Sequence, residues 1–289
     1  MSTSTKQQTN KTFSYKWNKV DIHGSKQVLE TYITWLTQKY FENNENKIDF
    51  LKNNKGKTIL DAGCGVGLSS MALFGDYLKH YDYTGVDNSD SVNIAQKDLA
   101  KLTKKYQIIK DDITEMQLNK KFDYILSEGV IHHTNDPYKT FINLINHLKP
   151  QGTILFYVYV QKAPIREYAD DLIRKQISEL SNEEAWEKLM PLTELGIELG
   201  KIKKTINIKK NIDILGIPSG SYDIQRFFYW FFVKAFYNQD FSKDEMNINN
   251  FDWYMPQNCA RFKPETIISW LQKNNLTTKR FHVEKAGIT

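Results

Sequence analysis

The sequence predicts an α/β protein with a seven-stranded-type, mostly parallel sheet, helices on both faces and a helical cap inserted after the fifth strand. Between residues 51 and 160, short apolar runs alternate with amphipathic segments, a rhythm that favours a parallel sheet covered by helices. The first run breaks into a glycine-rich turn at residues 63–67 that opens onto helix-like sequence. Residues 161–250 follow the fifth run, and a segment of that length exceeds one crossover helix.

The glycine-rich turn predicts a ligand site. Gly63, Gly65 and Gly67 alternate along it, and glycine permits both positive φ and a close approach of the backbone to a ligand. A dinucleotide fingerprint would need a further glycine at position 68 or 70, where Leu68 and Ser70 stand. No Lys-Ser/Thr pair follows to make a P-loop. The turn therefore indicates a nucleoside ligand without a bound pyrophosphate.

Acidic residues stand at the ends of the first two runs. Asp61 precedes the turn, where it can accept a hydrogen bond from a ligand ammonium group or order the loop. Asp87 ends the second run, at the spacing from the turn at which an acid binds a ribose diol. Asn88 and Ser89 follow, so Asp87 also suits the start of a helix. The two roles are compatible.

These features resemble the S-adenosylmethionine-dependent methyltransferases with a Rossmann-like fold, small-molecule branch. The family's first motif, Asp/Glu-x-Gly-x-Gly-x-Gly, is matched by residues 61–67, and its second, an acid that ends the next strand, is matched by Asp87. Residues 107–113 are similar to the third strand, with Asp112 in register for the adenine amino group. Residues 122–137 and 148–155 are similar to the fourth and fifth strands.

The resemblance extends from residue 55 to residue 160, with the motifs in the family's order. It implies that the chain binds S-adenosyl-L-methionine and releases S-adenosyl-L-homocysteine. The cofactor contacts that it implies are Asp61, Gly63, Cys64, Gly65, Gly67, Asp87, Asn88, Asp111, Asp112, Ile113, Ser127 and Glu128. Among these, Cys64 is predicted to fill space and not to act as a nucleophile, because no base stands beside it in sequence.

Two adjacent histidines follow the fourth run, beside the expected position of the transferred methyl group. Methyl transfer needs alignment in a pocket free of water, and a base if the acceptor is a hydroxyl. A neutral imidazole suits that role near neutral pH. Adjacent side chains usually face different ways, so we expect at most one to serve and prefer His133 to His132. The alternative is that both only order the loop.

The acceptor pocket is predicted from aromatic residues and arginines. All five arginines lie at position 166 or later in a chain that uses lysine throughout, which indicates planar contacts with an anionic or carboxylate-bearing acceptor. Aromatic and arginine side chains together suit a polar, sugar-like or anionic small molecule, although each could also pack in a core. The predicted pocket consists of Tyr15, Trp17, Tyr157, Tyr159, Tyr222, Arg226, Tyr229, Trp253, Tyr254, Asn258 and Arg261.

The predicted function is methyl transfer to a hydroxyl, or an amine, of a small polar metabolite such as a surface-polysaccharide building block. An RNA or protein methyltransferase is the second hypothesis, but residues 127–130 replace the Asn/Asp-Pro-Pro-Tyr/Phe motif with which amino-methylating enzymes hold a flipped base. A cofactor-binding subunit without catalysis is the third. It would bind the donor and show no turnover.

Composition limits the remaining possibilities. A net charge of +5 with scattered lysines does not indicate a nucleic-acid partner. No apolar run reaches the length of a membrane span, and two cysteines are too few for a disulfide framework or a zinc site, so we expect no metal and a cytoplasmic location. The polar residues 1–12 predict a disordered start, not a secretion signal. A homodimer is possible.

Four sections are expected along the chain. They are an N-terminal tail and lid helix (1–50), the cofactor-binding core (51–160), a helical acceptor-binding cap (161–250) and a C-terminal helix and strand that complete the core (251–289). Periodic apolar residues predict one helix across residues 28–40. Further helices are predicted at 164–180, 183–200, 221–237 and 264–274, and a strand at 278–283.

Overall fold

A computed structural model describes residues 5–19 and 25–289. The chain divides into two compact units. The first unit consists of Met1–Asn18, Leu29–Val160 and Asn258–Thr289, and the second consists of Lys19–Val28 and Gln161–Gln257.

In the described residues, strands and helices alternate through the first unit, and the second unit is mostly helical. The strands are β1 (Thr58–Ala62), β2 (Asp82–Asp87), β3 (Tyr106–Lys110), β4 (Phe122–Glu128), β5 (Leu148–Tyr159), β6 (Thr205–Ile208), β7 (Gly220–Asp223) and β8 (Gly287–Ile288). The α-helices are α1 (Thr5–Asn18), α2 (Lys26–Phe41), α3 (Asn44–Asn53), α4 (Leu68–Phe74), α5 (Val92–Leu99), α6 (Pro137–Asn146), α7 (Pro164–Ile177), α8 (Asn182–Lys201), α9 (Ile224–Phe231), α10 (Lys243–Tyr254) and α11 (Pro264–Lys273).

The sheet of the first unit has six strands in the order β3-β2-β1-β4-β5-β8. Strands β1 to β5 are parallel, and β8 pairs antiparallel with β5. This arrangement confirms the predicted α/β fold class. The strand order reverses between β1 and β4, and open α/β sheets bind ligands beyond the carboxyl ends of the strands at such a reversal. The glycine-rich turn and the histidine loop follow these two strands.

The sheet has helices on both faces because its central strands are apolar on both sides. Ile59 packs with α2, α4 and α5 in one core cluster, while Leu60 packs with α6 and α11 in the other. Both side chains are fully buried, as the alternation of side chains along a strand between two helical layers requires. This explains why β1 reads in sequence as a continuous apolar run.

Two predictions for the first unit are wrong. Residues 5–12 do not form a disordered start but belong to α1, whose buried side chains include the polar Thr9 and Thr12. Hydropathy gives no signal for such a helix. The prediction for residues 1–4 lies outside the described residues. The strand expected at 278–283 is also wrong: Val283 makes only an isolated bridge to Ile288, and the pairing strand is the short β8.

The second unit contains helices α7 to α10 and a hairpin. The lysine-rich segment 201–210 contains β6, which pairs antiparallel with β7. The aromatic helix predicted at 221–237 is shorter at both ends: β7 occupies Gly220–Asp223, and α9 ends at Phe231. Helix α10 was not predicted from the sequence. It buries Asn247 and Asn250, which bond to Thr193 of α8, and such a polar interior does not register as an apolar stripe.

Within residues 5–19 and 25–289, every helix is too short or too polar to cross a bilayer.

Candidate cofactor and catalytic site

The glycine-rich turn has the backbone that its sequence predicts. Gly63, Gly65 and Gly67 all have positive φ, at 82°, 53° and 83°. The N–H groups of Gly63 and Cys64 both donate to the carbonyl of Val86, at 2.7 and 3.0 Å, which fixes the turn against β2. Helix α4 begins directly after the turn, with Gly67 as its N-cap, so the amino end of the helix adjoins the turn.

The turn is closely covered, and this explains its residue types. A Cβ on Gly63 would stand 2.8 Å from Val130 Cβ and closer still to its methyl groups. A Cβ on Gly65 would stand 3.0 Å from the indole of Trp17 on α1. Cys64 Sγ lies where a Cβ on Gly85 would point, and burial raises the pKa of this thiol well above its usual range. The Cys64 side chain is thus packed inside the protein beside Gly85.

Asp87 connects the turn to the segment after β2. Its Oδ2 accepts from the Gly65 N–H at 2.9 Å, and its Oδ1 accepts from the N–H and hydroxyl of Ser89 at 2.8 and 2.6 Å. A carboxylate has about four acceptor positions, so these three bonds leave capacity for a ribose hydroxyl. Asn88, between Asp87 and Ser89 in sequence, is half-buried. The residues therefore fit the nucleoside that the turn predicts.

Asp61 is buried and bound by protein groups. Its Oδ2 accepts hydrogen bonds from the hydroxyls of Ser70 at 2.6 Å and Tyr83 at 2.8 Å. Burial raises the pKa of this carboxyl to about 6, although both hydrogen bonds oppose the rise. Of the two roles that the sequence leaves open for Asp61, the observed bonds correspond to ordering of the loop.

Of the two acids after β3, Asp112 contacts the N-terminal helix. Asp112 forms an ion pair with Lys6 of α1 and accepts from the Thr114 N–H at 2.8 Å. Burial opposes the ionisation of Asp112, but the bonds from Lys6 and Thr114 outweigh it, so the pKa lies below its usual value. Asp111 accepts from the Asp112 N–H at 2.7 Å. Ile113 is buried in a core cluster, so its side chain belongs to the packing of the sheet.

The end of β4 contains a buried ion pair that the sequence did not predict. Glu128 accepts from the ammonium group of Lys39 and, at 2.5 Å, from the hydroxyl of Tyr40, both on α2. The Lys39 ammonium also lies 3.4 Å from the ring centre of Trp35 and 3.7 Å from that of Tyr157. The neighbouring Ser127 donates to a carbonyl of β1 at 3.1 Å. Both predicted cofactor contacts on β4 thus have protein partners.

The two histidines lie in a short 3₁₀ turn, Ile131–His133, and are buried. The Nδ1 of His133 is 2.6 Å from the carbonyl oxygen of Asn258. Because a carbonyl only accepts, this bond places the proton of the neutral ring on Nδ1 and the lone pair on Nε2. His132 stacks on Tyr159 with ring centres 3.8 Å apart, and Phe13 of α1 packs edge-on against His133 at 5.0 Å.

Two of the predicted acceptor residues of the first unit, Tyr159 and Asn258, contact the histidine loop. Tyr159 packs against both histidines, and the Asn258 side chain donates to Asn135 at 2.5 Å, so these two residues order the histidine loop. Trp17 covers the glycine turn, and Tyr15 on the same helix is half-buried. Arg261 is half-buried and precedes Phe262, whose N–H donates to Tyr159 at the end of β5.

The predicted acceptor residues of the second unit have several different partners. Tyr222 packs on aromatic rings of α9, and its hydroxyl donates to the Pro218 carbonyl at 2.9 Å. Arg226 donates to the Tyr237 carbonyl at 2.9 Å, and its guanidinium carbon lies 5.3 Å from the ring centre of Tyr229. The members that the structure brings together around one buried carboxylate, Asp170, are Trp253 and Tyr254, with Tyr229 above the neighbouring Arg166.

Several charged residues that contact the predicted site residues were not predicted from the sequence. Lys6 and Lys39 lie on helices far along the chain from the acids that they bind, so no local pattern connects them. Arg166 and Asp170 are spaced four residues apart on α7, a pattern that sequence inspection could have detected. Among residues 5–19 and 25–289, no group of three His, Cys, Asp or Glu side chains is arranged to hold a metal ion.

Comparison with known proteins agrees with this geometry. Residues 53–210 match the model of a family described as a methyltransferase domain. The chain is 26% identical over 160 residues to the ubiquinone biosynthesis O-methyltransferase of Rickettsia canadensis (strain McKiel), covering 51% of this chain and 65% of that protein. It is 29% identical over 109 residues to the malonyl-[acyl-carrier protein] O-methyltransferase of Bacillus anthracis, covering 38% of this chain and 40% of that protein.

Each match thus spans less than two thirds of the relative's length. Among solved structures, the magnesium protoporphyrin IX methyltransferase of Synechocystis PCC 6803 is similar with a TM-score of 0.41 and 18% identity, over 55% of this chain and 78% of that chain.

Proposed function

The chain belongs to the S-adenosylmethionine-dependent methyltransferases, and on that premise we propose that it methylates a hydroxyl group of a small polar metabolite. The observation that supports a hydroxyl acceptor is the His133 imidazole, whose bond to Asn258 leaves the lone pair on Nε2. An amine attacks as its neutral form, whereas a hydroxyl must lose its proton during transfer, so a positioned base favours the hydroxyl.

When bound, S-adenosylmethionine supplies an activated methyl group, and S-adenosylhomocysteine is released. In the proposal, the glycine turn admits the nucleoside, Asp87 accepts from the ribose hydroxyls and Asp112 accepts from the adenine amino group. Asp61 supports the turn through Ser70 and Tyr83 and does not contact the ligand.

The histidine loop would act on the acceptor. Asn258 orients His133 through its carbonyl, and Tyr159 packs on the edge of the same ring at 5.5 Å between centres. His133 Nε2 then takes the hydroxyl proton as the methyl group is transferred. His132, fully buried and stacked on Tyr159, serves as packing for the loop. We assign acceptor recognition to residues 161–250, as the sequence predicts.

The donor is tested by calorimetric titration of S-adenosylhomocysteine into the wild type, Asp87→Ala and the control Asp90→Ala. Asp90 is exposed and only three residues away, paired with Lys110 on the surface. We expect at least tenfold weaker binding for Asp87→Ala, because about 1.5 kcal/mol or more attaches to a hydrogen bond from a charged group. We expect no change for Asp90→Ala. Tight NAD binding with no response to S-adenosylhomocysteine would contradict the proposal.

The base is tested by single-turnover methylation of a panel of sugars and sugar acids, each paired with its amino analogue. His133→Ala should lower the rate for hydroxyl acceptors by about 10²–10⁴-fold and leave S-adenosylhomocysteine affinity unchanged. An equal loss for His132→Ala, or no loss for His133→Ala, would show that the pair only orders the loop. Activity that collapses steeply with added salt on RNA, and is absent on the panel, would instead support the RNA hypothesis.

A further inference from the structure

One face of helix α1 covers three parts of the candidate site. Residues that recur at spacings of three or four positions lie on that face: Lys6, Thr9, Phe13 and Trp17. Lys6 pairs with Asp112, and Trp17 lies where a Cβ on Gly65 would point. Between these two ends, Thr9 and Phe13 contact the histidine loop and the residue that supports it. The middle of the helix therefore adjoins the proposed base.

The residue that supports the proposed base stands outside any helix or strand. Asn258 lies between α10 and α11, and its carbonyl oxygen accepts from His133 Nδ1 at 2.6 Å. An irregular segment has no ladder of backbone hydrogen bonds to hold a carbonyl in one direction. Asn258 can therefore orient the imidazole only if other contacts fix its own position.

Two such contacts are present at Asn258. Its N–H donates to Thr9 Oγ1 at 3.2 Å, and its side-chain amide donates to Asn135 Oδ1 at 2.5 Å. The contact with Asn135 is exposed to solvent, whereas Thr9 is only 3% exposed. Water competes less for a hydrogen bond to a buried group, so Thr9 is the firmer of the two anchors.

Thr9 stands on the same helix that packs against the imidazole ring. Phe13, one turn further along α1, lies edge-on to the His133 ring, with 5.0 Å between the ring centres. The helix thus limits the direction of the ring, and through Asn258 it holds the carbonyl that keeps the proton on Nδ1. With the proton on Nε2 instead, that nitrogen would be a donor and could not accept a proton.

We propose that Thr9 is a positioning residue for His133, acting through Asn258 to hold the tautomer in which Nε2 accepts a proton. This inference rests on the proposed function, since it names what supports the proposed base. Thr9, Phe13, His133 and Asn258 all lie within the first unit. Helix α1 thereby contributes to the orientation of the base as well as covering the glycine turn.

Helix α1 also supplies a matched control. Thr12 is buried as Thr9 is, at 1% exposure, but its hydroxyl donates to the Gln8 carbonyl within the same helix at 3.0 Å. Thr9→Val and Thr12→Val each replace one buried hydroxyl of α1 by a methyl group. Of these two variants, Thr9→Val is the one that removes the acceptor of the Asn258 N–H. Thr9→Ser keeps that acceptor.

The test is nitrogen-15 NMR of the histidine side chains of the full chain at about pH 8.5, where an ordinary imidazole is neutral, with no ligand added. The spectrum of His133→Ala identifies the resonances of His133. In the wild type we expect the Nδ1–H form to exceed the Nε2–H form by about tenfold, because a fixed carbonyl favours the donor beside it. Thr9→Val should reduce this excess by about threefold or more, while Thr9→Ser and Thr12→Val should keep it. An unchanged excess in Thr9→Val, or an equal reduction in Thr12→Val, overturns the proposal.

A second measurement uses the wild type alone and does not depend on whether the variants fold. Because the Asn258 N–H is bonded to a buried hydroxyl, it should exchange with solvent at least about tenfold more slowly than an unstructured amide. Exchange at the unstructured rate would show that Asn258 is not held by Thr9 in solution, and this result would also overturn the proposal.

The outcome is separable from that of the proposed function. In single-turnover methylation of the hydroxyl acceptors, Thr9→Val should lower the rate of transfer by about tenfold and keep its affinity for S-adenosylhomocysteine within about twofold of the wild type. If the wild type methylates none of the hydroxyl acceptors while Thr9→Val changes the tautomer, the proposed base fails and the positioning contact stands. If His133→Ala loses hydroxyl methylation while Thr9→Val keeps both the tautomer and the rate of the wild type, only the role of Thr9 is excluded.

Discussion

Glu128 has two interpretations that predict opposite results for Glu128→Gln. The sequence resemblance implies a cofactor contact, whereas the structure pairs its carboxylate with Lys39 and Tyr40. If Glu128 is a ligand contact, the variant should lose affinity for S-adenosylhomocysteine and keep its stability. If the ion pair is its role, the variant should lose stability and keep its affinity.

The expected loss follows from the burial of the pair. The side chains of Lys39 and Glu128 are 1% and 4% exposed, and removal of one partner of a buried pair costs about 3–5 kcal/mol. The glutamine can still accept from Tyr40, and the ammonium keeps its contacts with the rings of Trp35 and Tyr157. We therefore expect the lower end of the range, about 3 kcal/mol, from Glu128→Gln.

The assay is urea unfolding at pH 7.5 followed by circular dichroism, with hydrogen exchange of the β4 amides to localise the change. Glu115→Gln is the matched control, because Glu115 pairs with Lys139 on the surface of the same unit and should change the free energy of unfolding by about 0.5 kcal/mol or less. In Lys39→Met/Glu128→Gln, the combined loss should fall short of the sum of the single losses by about 2 kcal/mol.

The reasoning would be refuted if Glu128→Gln unfolded as the control does while its affinity for S-adenosylhomocysteine fell more than tenfold. Additive effects of the Lys39 and Glu128 substitutions would also contradict it, since they would show that the two side chains do not interact. On the structural interpretation, the folded variant should bind S-adenosylhomocysteine within about threefold of the wild type, a change below 1 kcal/mol.

Three further results are expected. Gly63→Ala should abolish S-adenosylhomocysteine binding, because its Cβ would collide with Val130. Gly56→Ala, at a nearly equal φ (83° against 82°) but in open space, should lose only about 1–2 kcal/mol of stability; an equal loss of binding in both variants would exclude the collision as the cause. Lys6→Met should tighten binding by at most about fivefold, because a partly exposed ion pair contributes about 0–1 kcal/mol; weaker binding would make Lys6 a ligand contact. Relative to the wild type, Asp61→Asn should gain about 2 kcal/mol of stability between pH 4 and pH 7. The raised pKa of Asp61 stabilises the wild type at low pH, and this contribution is lost as the pH rises through about 6; a constant difference in urea unfolding would contradict this.

The strands of the core could be predicted because both of their faces are buried. Such strands appear as short apolar runs, and the glycine turn after β1 needs positive φ at three alternate positions. Both signals are local in sequence. The helix α1 gives no such signal, because it buries threonines and covers the turn with Trp17. Strand β8 is two residues long and depends on its pairing with β5, which no local pattern reveals.

The candidate site was predictable where a residue's role depends on its own strand, and not where it depends on a distant partner. Asp87 follows the turn at a fixed spacing, and its contact with Gly65 agrees with that reading. Tyr254 was predicted as an acceptor contact, yet its hydroxyl bonds to Asp170, on a helix that is remote in sequence. A tyrosine that binds an acceptor and a tyrosine that bonds to a buried carboxylate cannot be told apart from the sequence alone.

Buried charge is the feature that sequence patterns conceal most completely in this chain. Lysines, arginines and acids are usually exposed, so Lys39, Glu128 and Asp170 each resemble surface residues until their partners are known. At the end of β4 the partners of the ion pair lie on α2 and β5: Tyr40 donates to Glu128, and the rings of Trp35 and Tyr157 flank the Lys39 ammonium group. In the second unit, Asp170 accepts from Arg166 on its own helix and from Trp253 and Tyr254 on α10. Because a buried charge is stable only with such partners, and most of these lie far away in sequence, the two clusters become visible only in the folded chain.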